Sequence, residues 1–507
     1  GLATAAEEHP ELRQAFDLFD PKFRDHRGLH LLGAESGLFF RVAPGASRTI
    51  PLVLGFYHAG PATTGIAARY YYTRLFPDLE AVLRHGLAGH DRYVAVAHAR
   101  DRELKASGLS SDQQWLLAQA THSYLGSTQL LEHRGRPLWV VNEGEYRMLN
   151  TFDLAADHLF FELRWFPWAV RNVLEQFARR YHYVDAWGVS FTHDMGVCDQ
   201  FTPAGRSSYE CDGLQGCFSH MTMEQLVNWV CCAVTYAEHT NDLTWLRRHR
   251  ALLLACARSL RTRDSARAAQ RDGLLKRDSD RCAGGAEITT YDSLDASLGQ
   301  ARNNLYLAGK TLAAWLLLER AFTRLERSQD ARAAAASADL LSRTLLAHFE
   351  TETGYFPAVF EGGNRSRILP AIEGLVFPLF LGDGEALRVR YPDLMKAFES
   401  HLTRALQPGL CLTPAGGWQL SSTSTNTWMS KIFLAQHVIR RLFPRALNPL
   451  AARGDAEHVR WQQGPAIGRF AFTDQVRTTT GEDIGSRYYP RGVTAILWLD
   501  ERIPASR

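Results

Sequence analysis

Residues 300–349 read QARNNLYLAGKTLAAWLLLERAFTRLERSQDARAAAASADLLSRTLLAHF. Apolar residues recur there with the 3.6-residue period of a helix, over 300–325 and again over 329–349. Two helices joined by so short a link form an αα-hairpin. The same period extends outward on both sides. Toward the N-terminus it predicts helices near 243–261, 223–238, 167–181, 153–163, 111–124 and 77–107. Toward the C-terminus it predicts helices near 371–381, 391–405, 426–443 and 454–463. Ser110-Ser111-Asp112-Gln113 and Thr222-Met223-Glu224-Gln225 read as capping boxes, and Pro167 suits a first helical position. Twelve helices separated by loops of two very different lengths predict six hairpins closed into a ring. That fold is mainly α, an (α/α)6 toroid whose inner ends and long loops form one cavity. Connections 182–221, 262–299, 350–370, 406–425 and 464–497 exceed simple turns, and loops of that size are usually functional.

Residues 28–59 have a different texture, with short alternating or apolar runs between Gly, Pro and Ser turns. So few strands make no independent sandwich, so this β segment is expected to pair with further strands or to lie against the helical part. The domain boundary falls near residue 60. Gly1 opens onto Leu2, Ala3 and Thr4 with neither an initiator Met nor a signal-peptide pattern, so the natural N-terminus is expected to lie upstream.

The 507 residues, 46% hydrophobic and 22% charged, are ordinary globular composition and provide a large core. A net charge of +3 gives no electrostatic case for nucleic acid. No apolar run approaches the roughly 18 residues of a membrane span. The eight cysteines form no CxxC knuckles, and Cys231 and Cys232 fall inside an apolar helical pattern. Buried free thiols in a reducing compartment are the reading, with a cytoplasmic location as the expectation.

The candidate chemistry lies in two acidic segments. Leu138 to Val141 reads as a strand, introduced by Arg134-Gly135-Arg136-Pro137 and ended by Asn142-Glu143-Gly144, so Glu143 stands at a strand terminus. The second segment, 284–295, opens on Gly284-Gly285 and carries Glu287, Asp292 and Asp295. A carboxylate pair facing one small cavity is the minimum equipment for breaking a glycosidic bond. An acidic loop residue is more often a solvated cap or an ion-pair partner, and spacing alone does not choose among Glu143, Glu145, Glu287, Asp292 and Asp295. His193-Asp194 and His220 sit in long loops without a metal-ligand pattern such as HExxH. The two histidines are read as neutral hydrogen-bonding groups, and no metal or cofactor is expected. Trp187, Phe191, Phe218, Trp418, Trp428, Tyr488 and Tyr489, in or beside the loops, have faces suited to the C–H surface of a pyranose, although most aromatics pack a core. Thr425 or Asn426 is read as capping the helix that follows. Ala308-Gly309-Lys310-Thr311 resembles the end of a phosphate loop, but Asn304 stands where the first Gly is required.

At these residues the chain resembles glycoside hydrolase family 52, whose known members are retaining β-xylosidases. Trp139-Val140-Val141-Asn142-Glu143-Gly144-Glu145-Tyr146 is similar to the family's nucleophile segment and Ala286-Glu287-Ile288-Thr289-Thr290-Tyr291-Asp292-Ser293-Leu294-Asp295 to its acid/base segment. The resemblance implies Glu143 as nucleophile and Asp292 as proton donor, acting on xylo-oligosaccharides. Matches also run through Ser190 to Gly196, Gly216 to Thr222, Ser297 to Tyr306, Ile368 to Pro378 and Ser486 to Gly492. Asn142, His193, Asp194, His220 and Arg487, in or beside the matching segments, are candidate contacts to substrate hydroxyls. The family's architecture, a β-sandwich followed by an (α/α)6 toroid, implies that residues 1–60 are the remnant of the sandwich and 61–507 the catalytic domain. A related β-glucosidase family with the same toroid, an inverting hydrolase and a catalytically silent carbohydrate-binding protein stand as alternatives. A homodimer is the assembly expectation.

Overall fold

The structure, a computed structural model, describes residues 2–3, 37–38, 41–211, 220–282, 286–464 and 472–502. The chain divides into one unit of Gly1–Phe56 with Glu80–Tyr93 and another of Tyr57–Leu79 with Val94–Arg507. In the first, β1 (Leu2–Ala3) pairs antiparallel with β2 (Gly37–Leu38). Of the β segment read over 28–59, residues 28–36 and 39–40 lie outside the described residues, and 41–56 carries no strand. Helix α1 (Leu79–Ala106) buries none of its residues.

The second unit is built from alternating outer and inner elements. In chain order they are α2 (Ser111–Gly126), α3 (Phe152–Trp165), α4 (Pro167–Arg179), α5 (Thr222–His239), α6 (Arg250–Asp264), α7 (Leu305–Arg324) and α8 (Ser328–Ala347). There follow a 3-10 helix, Leu369–Leu375, continued by α9 (Val376–Phe380), then α10 (Pro392–Ala405), α11 (Met429–Leu442), α12 (Gly454–Gln462) and a second 3-10 helix, Pro490–Arg502. The inner elements α3, α5, α7, 369–380, α11 and 490–502 each pack on the next, and the last returns to α3, which closes the ring of an (α/α)6 toroid. Burial separates the two layers. Inner α5 is buried on every face from Thr222 to Ala237, whereas outer α8 buries a single stripe including Ala331, Ala334, Ala338, Leu341 and Leu345. No helix among the described residues is long and apolar enough to cross a membrane.

Two substitutions in the expected roster leave the ring intact. Helix α1 is not one of its elements, and 490–502, which begins inside the connection read over 464–497, supplies the last inner position. A 3-10 helix turns every three residues, so a 3.6-residue template passes over it. The helix read over 243–261 breaks at His249 into Leu243–Arg248 and α6. Ser110 does form a capping box with Gln113. Thr222 does not: Met221 takes the cap position without a side-chain bond, and Glu224 turns inward to accept from the Thr290 N–H.

Gly309, in the phosphate-loop decoy, has a packing reason. A Cβ there would meet the Ala371 carbonyl oxygen at 2.4 Å, so α7 and the 369–375 helix cross only because position 309 is bare. Beside that crossing the ring's centre is ionic. Lys310 and Lys431 Nζ lie 3.0 and 2.7 Å from Glu373, and Lys431 also reaches Asp157 at 3.0 Å. Cys231 and Cys232 are buried free thiols, with the Cys231 thiol pushed up to about 12 by burial.

Candidate active site

A cavity of about 440 Å³ opens over the N-terminal ends of the inner elements. Asp153, Met221, Trp428 and Tyr489 wall it from the starts of α3, α5, α11 and the 490–502 helix, and loop residues complete the walls, so residues far apart in the chain converge on it.

Glu143 reaches the cavity from a hairpin. Strands β3 (Arg69–Tyr70), β4 (Thr128–His133) and β5 (Arg136–Val141) form an antiparallel sheet, and Arg134-Gly135, both at positive φ, make the tight β4–β5 turn. After the buried Leu138 to Val141, the chain turns sharply through the 3-10 segment Gly144–Tyr146. Gly144, at φ +55°, lies so close to the Arg487 carbonyl that a Cβ would sit 2.2 Å from its oxygen. This close approach fixes the turn that leaves Glu143 6% exposed. Thr151 donates to Glu143 Oε2 at 2.7 Å and Tyr489 donates to Oε1 at 2.8 Å. Burial, with the Asp153 carboxylate adding to it, pushes the Glu143 carboxyl up to about 6, against the pull of His193, Thr151 and Tyr489.

Asp292 reaches the cavity from the 286–295 loop, where it is half-buried. Its pKa is raised by burial, with Asp153 again adding, while the Ser293 N–H and His193 oppose. The loop is held from several sides. Thr289 donates to the Leu298 carbonyl, Ser424 donates to the Leu294 carbonyl, and Ser421 and Thr423 donate to Asp295. The 421–426 run therefore pins this loop. Neither Thr425 nor Asn426 caps α11: Asn426–Trp428 is a strand against Gln475–Arg477, and Asp474 takes the Ser430 N–H at the helix start.

Of the five acids that spacing left open, Glu143, Glu145 and Asp292 line the cavity. Glu145 is exposed and accepts from the Arg487 N–H. Glu287 is fully buried elsewhere, accepting from the Met223 and Ser279 N–H groups, and Asp295 caps Ala296–Gly299 through the Ser297 N–H.

His193 lines the cavity and differs from its neutral reading. Its Nδ1 lies 2.9 Å from Asp194 and its Nε2 3.6 Å from Asp153. Burial pulls its pKa down, but Asp194, Asp153 and Glu143 together lift it to about 9, so it is an imidazolium at neutral pH. Asp194 itself is fully buried behind it, also accepting from the Gly196 and Ser208 N–H groups. Asn142, His220 and Arg487 are not among the lining side chains. Asn142 donates to the Ser127 carbonyl, His220 packs edge-on against Tyr209, and Arg487 pairs with Asp483 at 2.7 Å. Among the seven aromatics, Trp428 and Tyr489 line the cavity. Trp418 is in the core and Phe191 stacks on Trp229. Trp187 bonds the Asp278 carbonyl, Tyr488 is partly exposed outside the cavity wall, and Phe218 lies outside the described residues.

Sequence reasoning missed Asp153 and Thr290, which also line the cavity, and the contact of Tyr489 with Glu143. Asp153 looks like an ordinary acid in a first helical turn, and only Tyr489 carried a signal, as a loop aromatic.

A family model described as glycosyl hydrolase family 52 matches residues 1–236. The chain is similar to a β-xylosidase of Geobacillus stearothermophilus, 46% identical over 483 residues, which is 93% of this chain and 68% of that protein. A second β-xylosidase of that organism is 42% identical over 290 residues, 55% of this chain and 47% of that protein. Among solved structures, a GH63 mannosylglycerate hydrolase from Thermus thermophilus in complex with glucose aligns with 76% of this chain and 99% of its own, at 14% identity and a TM-score of 0.46. An uncharacterized conserved protein of the same organism aligns over the same shares at 15% identity and a TM-score of 0.46.

Proposed function

Because the chain belongs to glycosyl hydrolase family 52, we propose that it is a retaining β-xylosidase acting on xylo-oligosaccharides, with Glu143 as nucleophile and Asp292 as acid and base. On this reading residues 61–507 are the catalytic domain and 1–60 the last part of a β-sandwich. The observation that carries the assignment is the single cavity on which both carboxyls open.

Glu143, with a pKa of about 6, is mostly ionised at neutral pH, and its two hydroxyl donors hold both oxygens in fixed directions. In the first step its carboxylate attacks the anomeric carbon while Asp292, whose pKa is raised by burial with Asp153 adding, gives its proton to the leaving oxygen. The glycosyl ester removes the Glu143 charge. Asp292, now ionised, takes a proton from water as that water attacks the ester-bound carbon, which releases xylose with its configuration retained. This scheme requires carboxyl oxygens about 5 to 5.5 Å apart, against about 6.5 to 9.5 Å for inversion.

Two substitutions test the roles. Glu143→Ala should abolish turnover of every xyloside and permit azide to form the inverted glycosyl azide. Asp292→Ala should retain cleavage of aryl xylosides with good leaving groups. Reversed phenotypes would overturn the assignment, saccharide binding without hydrolysis by the unaltered protein would favour a binding protein, and an inverted first-formed anomer by NMR would favour inversion. A panel of aryl glycosides separates xylosidase from glucosidase.

A further inference from the structure

Glu143 and Asp292 are joined through a short chain of buried contacts. Thr151, which donates to Glu143, is the residue immediately before α3, and Asp153 stands in that helix's first turn. A helix start is stiff, so the position of Glu143 is tied to that of Asp153. On its other side Asp153 Oδ2 accepts from Thr290 Oγ1 at 2.7 Å, and Thr290 lies two residues before Asp292. The Thr290 hydroxyl has no freedom to turn elsewhere: it accepts from Arg491 Nη1 at 3.2 Å while donating to Asp153. The Thr290 N–H is anchored as well, donating to Glu224 at 2.9 Å. Thr290 and Asp153 are 8% and 3% exposed, so water competes little for these bonds.

We propose that Thr290 is a positioning residue, whose hydroxyl acts through Asp153 and the start of α3 as a strut that sets the distance and aim of Asp292 relative to Glu143. This inference rests on the proposed roles of Glu143 and Asp292. Thr290 transfers no proton. Without its bond, the turn carrying Asp292 loses one of the buried ties that fix it, and proton delivery is the step most sensitive to the shift this permits. A displacement of about 1 Å can cost about 100-fold in rate, and a well-placed general acid is worth about 100-fold or more.

The experiment compares the wild type with Thr290→Val, which keeps the shape and deletes the hydroxyl, and with Thr290→Ser, which keeps the hydroxyl. The substrates are xylosides of 2,4-dinitrophenol, which leaves unaided, and of 4-methoxyphenol, which needs the proton. For Thr290→Val, kcat/KM is expected to fall roughly 10- to 100-fold on the methoxyphenyl substrate and by less than about 3-fold on the dinitrophenyl one. Thr290→Ser is expected to restore the wild-type ratio. In an Asp292→Ala background the valine substitution should add no further selective loss. An equal fall on both substrates, or no fall, would overturn the strut, because a merely structural defect lowers activity without regard to the leaving group. If the valine protein does not fold, Thr290→Cys, with a weak donor in the same volume, carries the same expectation. A wild type inactive on both xylosides would overturn the functional reading itself, whereas an active wild type with an unchanged ratio in the variant overturns only the strut.

Discussion

Replacing Glu143 by Gln should make the protein inactive and, above pH 6, more stable. Glu143 is buried, and its carboxyl is lifted from the ordinary 4.5 to about 6 in the fold. At 1.36 kcal/mol per pH unit, that rise corresponds to about 2 kcal/mol. The unfolded chain releases this proton near pH 4.5, whereas the folded protein holds it until about pH 6. The stabilising contribution of this group is therefore fully present below pH 4.5, is lost as pH rises through 6, and is flat above. Gln does not ionise and avoids that loss. Its hydrogen bonds to Thr151 and Tyr489 change little with pH, because both hydroxyls can rotate to donate or accept. The stability difference between variant and wild type should thus be about 2 kcal/mol more favourable at pH 7.5 than at pH 4. For a chain of this size that is about 2 °C in Tm. Thermal melts of both proteins at the two pH values, at one scan rate, give the double difference directly. A variant offset from wild type by the same amount at both pH values would refute the claim that the fold places a costly charge at position 143.

The same field sets the pH profile. The acid limb of kcat/KM should lie near pH 6; Asp153→Asn should move it down by removing a like charge, and His193→Gln should move it up by removing a cation, as read from initial rates across pH. In the ring centre, Lys431→Met should destabilise the fold by about 3 to 5 kcal/mol at neutral pH, because it strips the ammonium from Asp157 and leaves Glu373 with Lys310 as its one ammonium beside the Tyr291 hydroxyl. Burial lifts Asp157 to about 6 even against the pull of Lys431, and without that ammonium it rises further, so the loss measured by urea denaturation should shrink as pH falls toward 6 and Asp157 protonates in the variant.

Much of the architecture was legible because outer helices carry one apolar stripe and their neighbours carry recognisable starts. α8 shows its stripe plainly, and Ser110 and Pro167 mark helix starts as read. The turn around Glu143 was also legible, since a strand followed by Asn-Glu-Gly must end there. The element 490–502 was not, because its three-residue winding leaves no 3.6-residue signature, and α1 was read as a ring member although its pattern buries nothing. The run 421–426 looked like a cap because Ser, Thr and Asn favour caps, yet its partners lie on the 286–295 loop, which local propensity does not register.

The sequence by itself determined where most of the helices and turns form, since periodicity and capping act between residues a few positions apart, and its motifs marked both acidic segments. Only the tertiary structure decided which acids open on the cavity and what charge each group carries. Glu145 lies two residues from Glu143 but is exposed, while Asp194 and Asp153, from different segments, make His193 a cation. Those outcomes depend on burial and on partners distant in the chain, Tyr489 for Glu143 and Asp153 for Thr290 among them, which come together only when the ring closes.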